Sequence, residues 1–171
     1  MRASLIVPTL IVAAASFAAQ AASGRIPIFN AVTITSPGKY IVTNNLSGPP
    51  PLIRVQANDV EIDLNGFRLR ATTTAAPVID VSNVQAFRLF GGSLVSGLNG
   101  VKLLNVTGGE IRQVFVSGAS DDGIRLDSST GLLVQDNVVS AGGIGITLPA
   151  GTVTMQANVI GNMVSDTGGG G

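Results

Sequence analysis

Short runs of alternating apolar and polar residues recur along this chain, and their recurrence carries the first expectation about its fold. The clearest run is Val60-Glu61-Ile62-Asp63-Leu64-Asn65-Gly66-Phe67-Arg68-Leu69. A period of two puts Val60, Ile62 and Leu64 on one face of a strand. The alternation breaks at Asn65-Gly66, a dipeptide suited to positive φ because Asn tolerates it and Gly has no Cβ to clash. Alone, this would fit the tip of a hairpin. No partner strand of matching register follows directly, so it reads better as a corner.

An apolar-x-apolar pair returns as Ile53/Val55, Ile79/Val81, Val101/Leu103, Ile124/Leu126 and Ile144/Ile146, with Gly100, Gly123 and Gly143 before the last three. A second apolar column runs Val60/Ile62, Phe87/Leu89, Ile111, Val134 and Val153/Met155. A third runs Phe67/Leu69, Leu94, Val114/Val116, Val138 and Val159. Three short β runs in each unit of roughly 20–26 residues, with Gly, Asn and Asp between them, predict an all-β parallel β-helix solenoid of about five coils. A leucine-rich repeat shares the period but needs fixed leucine spacings that are missing. A sandwich of hairpins, the other rival, would not need the same triplet of strands to recur.

The outward positions between the apolar pairs are Arg54, Asp80, Lys102, Arg125 and Gly145. Arg54–Asp80–Lys102 is expected to form a ladder of alternating charge, and stacking Ile62 on Phe87 would set Asp63 beside Arg88. Such pairs contribute a few tenths to about 1 kcal/mol and are structural by default. Asn65, Asn137 and Asn158 fall at equivalent turns and could hydrogen-bond along the axis as a ladder, interrupted where Phe90 and Val114 stand.

Composition changes the picture at the ends. Arg2, the apolar run Ala3–Ala19 and the small-x-small site Ala19-Gln20-Ala21 read as a secretory signal over 1–22, with a membrane anchor as the rival. Residues 23–50 form a lead-in or cap with short strands around Val32-Thr33-Ile34 and Tyr40-Ile41-Val42, separated by the turn Ser36-Pro37-Gly38. Repeats occupy 51–166, after Pro49-Pro50-Pro51, and 167–171 is a Gly-rich tail. The expected location is secreted or periplasmic, with no membrane association after signal cleavage. Setting Arg2 aside leaves nine basic against ten acidic residues and no basic patch, which speaks against nucleic acid as a partner. Cysteine and histidine are absent, which removes disulfides, a thiolate nucleophile and the commonest general base.

The mature chain resembles secreted bacterial proteins with right-handed parallel β-helix repeats, the pectate-lyase-like architecture. The resemblance rests on Ser36-Pro37-Gly38-Lys39-Tyr40-Ile41-Val42-Thr43-Asn44-Asn45-Leu46, on Asn58-Asp59-Val60-Glu61-Ile62-Asp63-Leu64-Asn65-Gly66-Phe67, and on the Gly-Ile/Val coil starts. It implies the right-handed solenoid and is not specific for activity, because the architecture hosts lyases, hydrolases, epimerases and adhesins. Relatives carry more coils, so the chain is expected to be a fragment or to receive further coils from a partner, with edge-to-edge association through its uncapped last coil.

The acidic cluster is Ser120-Asp121-Asp122-Gly123, followed by Arg125 and Asp127. Adjacent carboxylates resemble the Asp-Asp motif of β-helical polygalacturonases, although the Gly-His-Gly element of that group is absent. A lyase would instead use Ca²⁺ held by Asp121, Asp122 and Asp127, with Arg125 or Arg112 as base. Against both, Asp-Asp-Gly reads as a turn opening the next strand. No catalytic, metal or cofactor site is therefore expected with these four residues beyond candidates. The expected function is an exported, non-catalytic β-helix that binds polysaccharide or serves structurally; the alternative is a polysaccharide lyase or glycoside hydrolase acting on an acidic polysaccharide.

Overall fold

A backbone that turns a corner every few residues must hold some residue at positive φ, and here those residues stand in columns. The computed structural model describes residues 24–149 and 157–165. Strand β1 (Ile26–Ile28) comes first, followed by β2 (Val32–Ile34), β3 (Gly38–Val42) and β4 (Leu46–Gly48). The next coil is β5 (Ile53–Val55), β6 (Val60–Asp63) and β7 (Arg68–Ala71). Two coils then use a long strand that runs through a corner: β8 (Ile79–Ser82) with β9 (Gln85–Val95), and β10 (Val101–Leu104) with β11 (Thr107–Ala119). The last two coils are β12 (Ile124–Asp127), β13 (Thr130–Gln135) and β14 (Val138–Ala141), then β15 (Ile146–Thr147), β16 (Ala157–Ile160) and β17 (Met163–Ser165).

Among the described residues every strand pairing is parallel, and each strand pairs with its equivalents one coil away. One sheet has six strands in the order β15-β12-β10-β8-β5-β2; the other eleven-stranded sheet covers the remaining sides of the coil. Among the described residues there is no helix. The chain is a parallel β-solenoid of about five turns, as the alternation predicts. The stacking reaches back into the lead-in, where Val32, Thr33 and Ile34 pair with Ile53, Arg54 and Val55.

The corners repeat because the backbone conformation repeats. Asp59, Ala86, Gly108 and Gly131 precede or open equivalent strands at φ 54°, 55°, 71° and 65°. Asn83, Asn105 and Ser128 form a second left-handed column, and Gly91, Gln113, Asp136 and Gly161 a third. For Ala86 and Gln113 this conformation costs about 1–2 kcal/mol each. Hydrogen bonds to the adjacent coil hold the corners, among them Asp59 N to Gln85 O, Asn83 N to Leu104 O and Asp136 N to Ile160 O. Asn65 and Gly66, at φ 52° and 75°, are such a corner and not a hairpin tip.

Inward residues stack into continuous columns. On the six-stranded sheet these are Val32–Ile53–Ile79–Val101–Ile124–Ile146 and Ile34–Val55–Val81–Leu103–Leu126. The last coil corrects an expectation: Ile146, not Ile144, stands opposite Ile124, so Thr147 and not Gly145 faces outward beside Arg125. The glycine that matters is the one packed against a valine across the interior, and Gly145 stands to Val164 as Gly123 does to Val139 and Gly100 to Val116.

The other columns hold in part. Val60 and Ile62 lie opposite Phe87 and Leu89, which moves Asp63 to Phe90 and gives Arg88 to Glu61 at 3.7 Å. Asp63 instead holds Arg25 at 2.6 Å. The column Ile62–Leu89–Ile111–Val134 continues into Val159, a residue expected in the third column, while Val153 and Met155 lie outside the described residues. The third column is Leu46–Leu69–Leu94–Val116–Val139–Val164, with Val139 inward where Val138 was expected. Setting Val60 and not Ile62 opposite Phe87 is a slip of two, which preserves the inward face and which alternation cannot detect, whereas exchanging Val138 for Val139 is a shift of one, which reverses the face.

Asn137 is 1% exposed and fully engaged. Its Oδ1 accepts from Val114 N at 3.0 Å, and its Nδ2 donates to Ile111 O at 3.0 Å and to Asn162 Oδ1 at 2.9 Å. The asparagine ladder thus joins Asn137 to Asn162, while the backbone of Asn158 lies within β16 opposite Leu133. Asn65 is exposed and donates to Val42 O, outside that ladder.

Tyr40, the chain's one tyrosine, donates to Ser36 O at 2.8 Å and is 8% exposed. Burial raises its pKa above the ordinary value of 10.0, because the phenolate would lose hydration. Above pH 10 the unfolded chain releases this proton before the folded one does, so its contribution to stability is present below 10 and is lost as pH rises through the folded pKa. With no second tyrosine and no tryptophan, phenolate absorbance reads this group alone. The folded protein should titrate at higher pH than the same chain in denaturant; coincident curves would show an exposed phenol.

Candidate functional site

The four residues nominated by sequence come together at one corner and on one strand. Asp121 and Asp122 lie in the corner between β11 and β12; Arg125 and Asp127 point outward from β12. Neighbouring coils shape the corner through Asp121 N to Leu98 O, Gly123 N to Ile144 O and Gly143 N to Asp121 O. The turn expected at Asp-Asp-Gly is present, and β12 opens directly after it.

Arg125 is the centre of the cluster. Its Nε donates to both carboxylate oxygens of Asp127 at 3.0 Å. Its Nη1 donates to Asp122 Oδ2 at 3.1 Å and lies 3.7 Å from Asp121 Oδ2. The bond to Asp127 raises the guanidinium pKa, supported by the charges of Asp127 and Asp122 and opposed by partial burial. A guanidinium held this firmly as a cation is a poor proton acceptor, the opposite of what a lyase base requires.

Asp122 is the buried member, 3% exposed, and its Oδ1 accepts from Ile144 N at 3.3 Å in the next coil. It therefore ties two coils together as well as pairing with Arg125. Asn99, 1% exposed, donates from Nδ2 to Asp122 O at 3.3 Å and to Asp121 Oδ2 at 3.4 Å from the preceding coil. Lys102 reaches Asp127 at 3.6 Å. Asn99 and Ile144 are members that sequence reading missed, since neither carries a motif and only the register brings them here.

The charge ladder keeps its register but divides its partners. Arg54, Asp80, Lys102 and Arg125 lie on adjacent strands in that order. Arg54 pairs with Asp80 at 3.3 Å, whereas the ion pair of Lys102 is with Asp127. Arg112 belongs to the other sheet, where it lies 3.3 Å from Glu110 and 5.1 Å from the Phe90 ring centroid. It does not join Arg125.

Chemically, the corner is a cation surrounded by three acids. The residues do not fit a calcium site, because the positive charge that Asp121, Asp122 and Asp127 share is Arg125 itself. Among the described residues no group of three or more acidic side chains is arranged to hold a metal ion. No protein family, curated protein or solved structure matches the chain.

Proposed function

We propose that this chain is an exported β-solenoid of the right-handed, pectate-lyase-like kind that binds polysaccharide on its outer faces without cleaving it. The observation that carries this reading is the engagement of Arg125 by Asp121, Asp122 and Asp127, which occupies all four candidate catalytic groups with one another. Two acids acting on a glycosidic bond must be free to meet the leaving oxygen and a water. Here Asp122 is nearly enclosed and spans two coils. Meanwhile the six-stranded sheet presents an unbroken outward row, Thr33–Arg54–Asp80–Lys102–Arg125–Thr147, on which an extended polymer can lie along the solenoid axis. Export rests on the leader read at 1–22. Association through the edge of the last coil, where Val159, Met163 and Val164 are exposed, belongs to the same reading.

Affinity electrophoresis through gels containing neutral or acidic polysaccharide, beside a product assay on polygalacturonate and alginate with Ca²⁺, tests it. Retention without new reducing ends or unsaturated products is expected. Asp122→Ala should retain binding while losing about 1–3 kcal/mol of stability, the cost of leaving partners of a buried acceptor unpaired. Turnover by the native chain that disappears in Asp122→Ala would replace this reading with the lyase or hydrolase alternative.

A further inference from the structure

Cations on this solenoid are matched by carboxylates almost wherever they stand on a strand. Arg54 meets Asp80, Arg88 meets Glu61, Lys102 meets Asp127, Arg112 meets Glu110, and Arg125 meets three acids. Among the described residues Lys39 on β3 makes no ion pair but stands opposite Glu61 in register, whereas strand β7 has no acid even in register. Arg68 and Arg70 are both exposed, at alternate positions, so they leave the sheet on the same face roughly 7 Å apart. Their neighbours in register are Ser93 for Arg68, and Ser47 and Val95 for Arg70. None is acidic, and neither guanidinium has a described carboxylate within ion-pair distance.

Beside Arg70 the surface forms a depression of about 410 Å³, lined by Ser47, Arg70, Ala71, the loop Thr72–Thr73–Thr74 and Ser96. That size lies within the usual range for small-ligand pockets, about 300–1,000 Å³. Its floor is fixed by the coil: Thr72 N donates to Gly48 O and Ser96 N to Ser117 O, both at 2.9 Å. The hydroxyls of Ser47, Thr72, Thr73, Thr74 and Ser96 are not engaged by any described side chain. An uncompensated pair of arginines next to unengaged hydroxyls has a definite chemical complement. The planar guanidinium fork matches an oxyanion, and the hydroxyls match a polyhydroxylated ring.

We propose that β7 and the loop after it form a binding site for an acidic sugar, with Arg68 and Arg70 pairing its carboxylate or sulfate and the Ser/Thr hydroxyls contacting its ring. Strand β7 belongs to a different sheet from Arg125, and the loop after β7 shares a corner edge with Asp121, through Leu98 N to Ala76 O and Asp121 N to Leu98 O, two coils along the axis. Its polymeric ligand rests on the polysaccharide-binding reading above; its preference for an oxyanion does not.

The test titrates the full chain with a uronate trisaccharide, a sulfated trisaccharide and a neutral trisaccharide, followed by backbone amide shifts and calorimetry. One or both acidic probes should move the amides of 72–74 and Ser96, and which of them does so separates carboxylate from sulfate. The double variant Arg68→Gln/Arg70→Gln should weaken that binding about tenfold or more, while Lys39→Gln, on another side of the coil, should leave it unchanged. Circular dichroism should be the same in all three proteins, since the replaced side chains are exposed. Equal binding of the neutral probe, shifts elsewhere, undiminished binding in the double variant, or no binding of any probe would each overturn the site. If no trisaccharide binds yet polysaccharide is still retained, this site fails and the polysaccharide reading stands. If the acidic trisaccharides bind here but no polysaccharide is retained, the polysaccharide reading fails and the site stands.

Discussion

Gly123→Ala should lower the unfolding free energy by about 3 kcal/mol, the upper end of the usual cost of overpacking. A methyl group there would overlap the Val139 side chain and come within 2.6 Å of Gly145 O in the next coil. Neither neighbour can yield alone. Val139 belongs to an inward column with Val116 and Val164, and the Gly145 carbonyl accepts from Ile124 N. The penalty is steric, and a matched control separates it from backbone strain. Gly66 sits at φ 75°, and a Cβ added there would meet nothing within 4 Å, so Gly66→Ala should cost only the left-handed penalty, about 1–2 kcal/mol. Urea denaturation of the two variants beside the native chain reads the difference. Equal losses would mean that adjacent coils separate readily at Gly123.

Phe87→Ala should cost about 3–5 kcal/mol, as for deletion of a fully buried aromatic side chain. Phe87 is fully buried, and its partners in register are Val60 in one coil and Gly109 in the next. Gly109 contributes no side chain, so the substitution leaves two successive inward positions nearly empty. A larger residue cannot be placed at 109 to compensate, because even a Cβ there would collide with Phe87 O. In a solenoid each coil is stabilised mainly by its neighbours, so a weakened middle coil also weakens the coupling between the two ends. The urea transition should move to lower concentration and broaden, with a smaller apparent m-value. A loss below about 1 kcal/mol with an unchanged slope would show that the interior collapses around the gap.

The kind of fold was legible because the parallel solenoid writes itself into sequence as a repeated alternation. Ile53/Val55, Ile79/Val81, Val101/Leu103 and Ile124/Leu126 are inward in the order expected. Errors appear where the repeat is degenerate. Ile144/Ile146 offered two equally apolar choices, and the structure takes Ile146 because Gly145 is the residue small enough to pass Val164. Val138 and Val139 differ in nothing that sequence can weigh, yet only Val139 is inward.

The candidate corner was legible only as a group of residue types. Asp121, Asp122, Arg125 and Asp127 are close in sequence, so their meeting was expected. Their pairing with one another depends on side-chain directions set by the turn and by β12, and Asn99, Lys102 and Ile144 arrive from other coils. Arg68 and Arg70 show the converse. Nothing in Phe67-Arg68-Leu69-Arg70 separates these arginines from their paired counterparts until register places Ser47, Ser93 and Val95 beside them.

By itself, then, the sequence determined the strand class, the coil as the repeating unit and the inward face of most strands, because a period of two and recurring corner residues are local properties. Only the tertiary structure decided which coil residue meets which: Asp63 with Arg25, Arg88 with Glu61, Asn137 with Asn162, and two arginines of β7 with no acid among the described residues. Those pairings depend on register between coils, and a shift of two residues leaves the local pattern intact while changing every outward neighbour. The feature from which the proposed sugar site follows is a missing partner, which becomes visible only once the coils are stacked.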